Sequence, residues 1–490
     1  MSKVTLSRQL NAFDVTNLVV GSVIGADVYV AAALGARLLG PASILVWLLA
    51  GLIAIVIALS FSRCAAILPK VGGPYAYSRD VAGPFKGFLV GWALLLAEWF
   101  SLAVFPVAFT QYFLSFIPGL SPMAQILLKG IFIGIIFLTN VVGVRMAGKF
   151  NDLLTIGKLG PLLLLTGAGL VFIVFQPQVA LARFHPFLIG QPTHLGQALV
   201  LIFWAYAGFE LSTLPADEIQ DAPRTIPRAI AMGMLIVMVF YLTTNFVIIA
   251  NVDQSALASS PAPLTVAAEN IFGLLPGLGI WGSLMVAAGA LISITGADES
   301  GTLGTSRLAF AMSIDGLLPR VFSRLHSSFR TPYIGLAILC STAFLASVIG
   351  TLSDLINSSV FLLSFTYFAT GISAILLERK YRAALRPRDV VVPALTIAFS
   401  ALLMTQVTLQ QIAIALMLLG LGVPLYTFFS PKSELTELKA KFLSTEAILN
   451  RAYRQRDTFL AHLVHHLIML IYRRKHVQRA WLVEKEHESQ

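Results

Sequence analysis

Apolar runs of about twenty residues, the length that crosses a bilayer as a helix, recur along this chain. They fall near 13–38, 42–68, 85–117, 123–143, 151–175, 194–214, 228–250, 277–299, 332–350, 354–377, 390–408 and 411–430. The longer links between them, such as 69–84 and 217–227, collect Pro, Gly and charge. This pattern predicts an all-α integral membrane protein with twelve transmembrane helices. Residues 431–490 follow a different pattern. Leu435, Leu438, Phe442, Thr445, Leu449 and Ala452 make one helical stripe, and Leu460, Leu463, Val464, Leu467, Ile468 and Ile471 make a second. The spacing predicts a cytoplasmic amphipathic helical tail. Such a tail can pack on the inner face of the protein, lie on anionic lipid, or bind a cytosolic partner.

Composition sharpens this reading. The chain is 57% hydrophobic and 12% charged, against about 25% charge in average soluble domains. That excludes a disulfide scaffold, a disordered chain and a nucleic-acid-binding domain. The 34 Lys and Arg residues then orient the spans. With the N-terminus inside, thirty lie on inner segments and the tail, while only Arg37, Lys129 and Arg183 lie outside. This positive-inside bias predicts a multi-pass protein of the cell membrane with both termini cytoplasmic. The net charge of +10 is accounted for by topology and implies no nucleic-acid partner. The first run reads as a retained span rather than a signal peptide, and Cys64 and Cys340 read as packing residues.

The remaining basic residue, Lys158, sits within a span, as do Asp27, Glu98 and Glu210. An ionisable group at mid-bilayer costs about 2.5–3.5 kcal/mol on insertion scales, so each is a functional candidate. The pair Asp298-Glu299 reads as the cytoplasmic end of the eighth span and is discounted. Glu98, beside Trp99, reads as an interhelical hydrogen-bond partner. Asp27 follows Gly21-Ser22-Val23-Ile24-Gly25-Ala26, midway along the first span, and Glu210 follows Trp204-Ala205-Tyr206-Ala207-Gly208-Phe209, midway along the sixth. Glycines of this kind serve close helix packing. Packing alone does not explain a carboxylate beside the glycine at matching places in two halves, where an inverted repeat would set two broken helices. A break frees N–H groups that bind an anion and carbonyls that bind an ammonium.

At these residues the chain resembles the amino acid–polyamine–organocation (APC) superfamily of secondary transporters, over approximately residues 10–430. The run 21–27 resembles its Gly-Ser-x-Ile-Gly-x-Gly pattern, and Pro69-Lys70-Val71-Gly72-Gly73-Pro74-Tyr75 its Pro-x-x-Gly-Gly-x-Tyr loop. Phe203–Glu210 resembles its sixth-span segment, Glu218–Ile230 the loop that follows, and Ser306-Arg307 with Asp315–Pro319 the stretch after span eight. The resemblance implies a LeuT-like 5+5 inverted repeat with discontinuous helices 1 and 6, plus two peripheral helices. The domains are then a cytoplasmic N-terminus at 1–12, a transport core at 13–377 with repeats 13–175 and 194–377, helices 11–12 at 390–430, and the tail at 431–490.

The resemblance further implies that Ile24, Gly25 and Ala26 present N–H groups to a substrate carboxylate, with Asp27 alongside. Carbonyls around Trp204, Ala205 and Ala207, next to Gly208, would take the amine, with Trp204 packing over the substrate or else filling the core. Asp27 departs from the family glycine. It can pair with Lys158 or another helix, pair with a substrate ammonium, or take up a proton. Lys158, in a stretch similar to the Lys-Leu-x-Pro-Leu pattern of sodium-independent relatives, would exclude Na⁺ and carry the coupled proton, or else be a fixed structural charge. Glu210 is a second protonation site or a helix-pinning group. The function expected is a proton-coupled amino acid permease. The alternatives are a carrier or exchanger of amines, polyamines or cationic amino acids, and a substrate sensor signalling through the tail. No phosphate-binding loop, enzyme constellation, metal site or cofactor is expected.

Overall fold

A computed structural model describes residues 11–25, 27–69, 72–142, 144–189, 191–210, 219–382 and 386–431, with side chains at all of these except 18, 144–158, 192, 222 and 388. The amphipathic stripes read at 431–490, apart from residue 431, therefore lie outside the described residues, as does Ala26. So does the side chain of Lys158, whose backbone stands at the middle of a helix that begins at Val144 rather than near 151.

Among the described residues every regular element is helical. In chain order they are α1 Ala12–Val23, α2 Asp27–Leu39, α3 Ser43–Ile67, α4 Gly73–Ala82, α5 Pro84–Phe113, α6 Pro122–Val142, α7 Val144–Phe175 and α8 Pro177–Ala182, then α9 Leu195–Phe203, α10 Ala222–Asn251, α11 Gln254–Ser259, α12 Pro263–Phe272, α13 Leu278–Ile314, α14 Tyr333–Ile349, α15 Leu352–Tyr381, α16 Pro387–Thr405 and α17 Leu409–Phe429. Seven helical segments among the described residues are long and apolar enough to cross a membrane, and five shorter apolar helices accompany them. The expected run at 13–38 divides into α1 and α2 because the helix stops at Val23. The run at 277–299 is corrected outright: α13 continues to Ile314, so Asp298 and Glu299 lie in mid-helix, 2% and 1% exposed. Hydropathy falls at those carboxylates while the helical backbone does not.

Burial separates core from periphery. In α5 and α15, 78% and 67% of the most apolar stretch is buried, against 22% and 17% in α6 and α17. Met123, Leu127, Ile131, Ile135 and Leu138 form an exposed stripe along α6. Apolar side chains at this spacing on one outward face are suited to lipid rather than water. Small residues bring the inner helices close. A Cβ on Gly289 of α13 would stand 2.6 Å from both Cβ and Cγ of Pro161 in α7, and one on Gly51 of α3 would stand 2.6 Å from Met238 of α10.

The short helix α4, in a stretch read as a link, ties two motifs together. The Tyr75 hydroxyl donates to Asp315 Oδ2 at 2.6 Å, and Arg79 Nη1 donates to the same oxygen at 2.7 Å. Next along the chain, Asp80 Oδ2 accepts from Lys380 Nζ at 2.8 Å and from the Tyr381 hydroxyl at 3.0 Å. Thus α4 is fastened to the ends of α13 and α15. Burial, and then the Asp315 carboxylate, hold the Tyr75 hydroxyl above its ordinary pKa, so it remains a donor.

The α7–α13 contact yields a matched pair of substitutions. Gly289→Val forces a side chain against a rigid proline ring and should cost about 1–3 kcal/mol. Gly134→Val, on α6 with nothing within 4 Å of where its Cβ would stand, should cost far less. Thermal unfolding of the two variants in detergent measures the difference.

Candidate transport site at two helix breaks

The first break follows from the end of α1. Ile24 N–H still donates to Val20 O at 2.8 Å, but Ile24 is extended (φ −74°, ψ 91°) and α2 begins only at Asp27. Gly25 lets α13 approach: a Cβ there would stand 2.9 Å from Ala297 Cβ. In an unbroken helix Val23 O would take the N–H of residue 27. Here it accepts the Tyr241 hydroxyl of α10 at 2.8 Å.

The second break lies after α9. One 3₁₀ turn, Trp204–Tyr206, follows Phe203, then Ala207 is extended (φ −70°, ψ 162°) and Gly208 turns left-handed at φ 112°. Only glycine adopts that conformation without strain. The same glycine closes the two breaks upon each other, because a Cβ on it would stand 2.6 Å from the Ser22 carbonyl oxygen. Its N–H donates to both Glu210 carboxylate oxygens at 3.1 Å, and Tyr367 of α15 donates its hydroxyl to Oε2, also at 3.1 Å. Of the two readings of Glu210, these contacts display the pinning one.

The other expected residues gather around this contact. Asp27 opens α2 and is 7% exposed. Its carboxylate is placed to meet the partial positive charge of the helix N-terminus, and Oδ2 lies 3.4 Å from where a Cβ on Gly25 would be. Trp204 is 2% exposed, with Nε1 donating to Ser101 Oγ at 3.1 Å and its ring 6.1 Å from that of Phe105. Ala205 and Tyr206 are fully buried. The structure therefore brings Ile24, Gly25, Asp27, Trp204, Ala205, Ala207, Gly208 and Glu210 to one place.

Several contributing residues carried no signal in the chain. Tyr241 and Tyr367 are single aromatics in apolar runs, and nothing in their neighbourhood distinguishes them from packing residues. Glu98 interacts electrostatically with both Glu210 and Asp27, which sets it at the site rather than at a remote helix contact. The Asp298-Glu299 pair also belongs inside. Thr302 donates to Asp298 at 3.2 Å and Thr139 to Glu299 at 2.6 Å. The signal that α13 runs on was available in Leu308, Ala309 and Met312, which continue its buried pattern. A separate cavity of about 460 Å³ lies away from the breaks, beside the Arg183–Asp253 ion pair. Among the described residues no three His, Cys, Asp or Glu side chains are grouped to hold a metal ion.

Comparison with known proteins accords with this geometry. The family described as amino acid permease matches residues 10–428. The branched-chain amino acid permease BcaP of Bacillus subtilis (strain 168) is 25% identical over 87% of this chain and 94% of its own length. The serine/threonine exchanger SteT of the same organism is 27% identical over 86% and 96%. The human large neutral amino acids transporter small subunit 2 is 28% identical over 86% and 80%. Apolar helices of spanning length, an interruption between α1 and α2 in contact with the turn that ends α9, and a family match across the helical body agree on a multi-pass membrane transporter, not an enzyme, and the chain belongs to the amino acid permease family.

Proposed function

We propose that this permease moves an amino acid across the cell membrane by alternating access, independently of Na⁺ and coupled to protons. The observation that carries the reading is the contact of the two breaks, Gly208 against the Ser22 carbonyl. It sets backbone N–H groups and backbone carbonyls at the same depth of the protein. A zwitterion needs this pairing, since its carboxylate seeks donors and its ammonium seeks acceptors. In this reading the N–H groups of Gly25 and Ala26 meet the carboxylate, and Ile24, whose N–H is taken by Val20 O, ends the helix that presents them. Carbonyls of Trp204, Ala205 and Ala207 meet the amine.

The architecture that goes with it has twelve spans: a 5+5 inverted repeat over 13–377, with repeats at 13–175 and 194–377, and peripheral helices at 390–430. The termini and the tail at 431–490 are on the cytoplasmic side, as the charge bias supports. Lys158 in α7 carries the coupled proton, with Glu210 as a second proton-binding group. Its ammonium excludes Na⁺ by charge. The relatives named above take branched-chain residues, serine or threonine, and large neutral residues, so family membership leaves side-chain preference to the pocket.

Two experiments test this. Gly208→Ala places a Cβ on the Ser22 carbonyl in a left-handed conformation, so amino acid uptake into proteoliposomes should fall at least about tenfold. The variant should still elute as a single species on gel filtration. Lys158→Ala should abolish the response of uptake to an inward proton gradient. Uptake driven by a Na⁺ gradient and indifferent to Lys158 would refute the coupling scheme.

A further inference from the structure

One carboxylate at the breaks is unengaged. Glu98 stands at the middle of α5, is 8% exposed, and makes no hydrogen bond or ion pair among the described residues. Its oxygens are not among the buried polar atoms sealed by packing. The other carboxylates of this region each make a contact, although Glu299 Oε1 is buried without a partner among the described residues. Glu210 holds Gly208 N–H and the Tyr367 hydroxyl, Asp298 holds Thr302, and Glu299 holds Thr139. Asp27 has contacts of its own at the break.

The face of α5 that carries Glu98 is the one turned to the site. Residues 98, 101, 102 and 105 follow helical spacing. Ser101 accepts from Trp204 Nε1, Leu102 lies 3.1 Å from where a Cβ on Gly301 of α13 would stand, and Phe105 sits against the Trp204 ring. Glu98 interacts with one carboxylate from each break, Asp27 and Glu210. Three carboxylates gathered out of water repel one another and are each penalised by desolvation. That arrangement favours entry of positive charge, and an open carboxylate offers acceptor sites only. An ammonium or guanidinium supplies matching donors, and the neighbouring Trp204 ring adds a face attractive to cations.

The geometry points to Glu98 as the specificity-determining residue of this permease, receiving the side-chain ammonium or guanidinium of a cationic amino acid. This rests on the amino acid reading above, in which backbone groups at the breaks take the substrate's own carboxylate and amine. That leaves a third charge on the substrate for Glu98 alone.

The test uses the full chain in proteoliposomes, with counterflow of labelled arginine, lysine and leucine. Wild type should carry arginine and lysine. Glu98→Gln should lower the ratio of arginine to leucine counterflow at least about tenfold, the scale for losing one partner of a buried charge pair, and Glu98→Asp should restore part of it. Gel filtration of each variant confirms folded protein. A ratio unchanged in Glu98→Gln overturns the assignment. If proton-gradient dependence is lost for both substrates at that unchanged ratio, Glu98 is a proton site instead. Wild type that carries leucine but neither cation overturns this inference and leaves the amino acid reading standing. Wild type that carries no amino acid overturns the reading itself.

Discussion

Inside a bilayer every backbone N–H and C=O that leaves a helix must find a partner in the protein, because hydrocarbon offers none. The contact between the two broken helices is organised by that requirement. Val23 O, released where α1 stops, is taken by Tyr241. Gly208 N–H, released after the 3₁₀ turn, is taken by Glu210, which Tyr367 holds in turn. The breaks are thus held by α10 and α15, helices distant in sequence. Glycine at 208 removes the side chain that would keep the two segments apart, and glycine at 25 does the same for α13.

The same accounting explains why the site is chemically spare. Peptide groups make up the contact between the two segments, and the side chains around them mostly support those groups. Trp204 is fixed by Ser101 and Phe105, and Tyr206 by the Trp47 carbonyl. Each such hydrogen bond contributes about 1 kcal/mol net. The fastening of α4 to α13 and α15 through Arg79, Asp315, Asp80 and Lys380 lies at the far ends of the same helices. Those partly exposed ion pairs are individually weak.

How much was legible in the chain varies with the physics involved. Apolar runs are local, so most helices are found within a few residues of their expected bounds. α13 was cut short because a hydropathy run ends at its first carboxylates, whereas a helix does not. α4 was invisible for the opposite reason. Its stretch holds Tyr75, Arg79 and Asp80 amid Pro and Gly, and it packs through charge and hydroxyl contacts rather than an apolar stripe. The glycines with flanking carboxylates at 21–27 and 203–210 lie where α1 stops and where the turn after α9 ends, since a glycine in an apolar helix is a local feature.

By itself, then, the sequence determined the membrane class, the positions of most long helices and the glycine-bearing points where α1 and α9 end. Each of these depends on residues adjacent in the chain. Only the tertiary structure decided that the breaks touch, that Tyr241 takes the carbonyl the first one releases while Tyr367 holds Glu210, and that Glu98, Asp298 and Glu299 are all buried. Those facts depend on which face of one helix meets another, and periodicity within a uniformly apolar run leaves that face undefined.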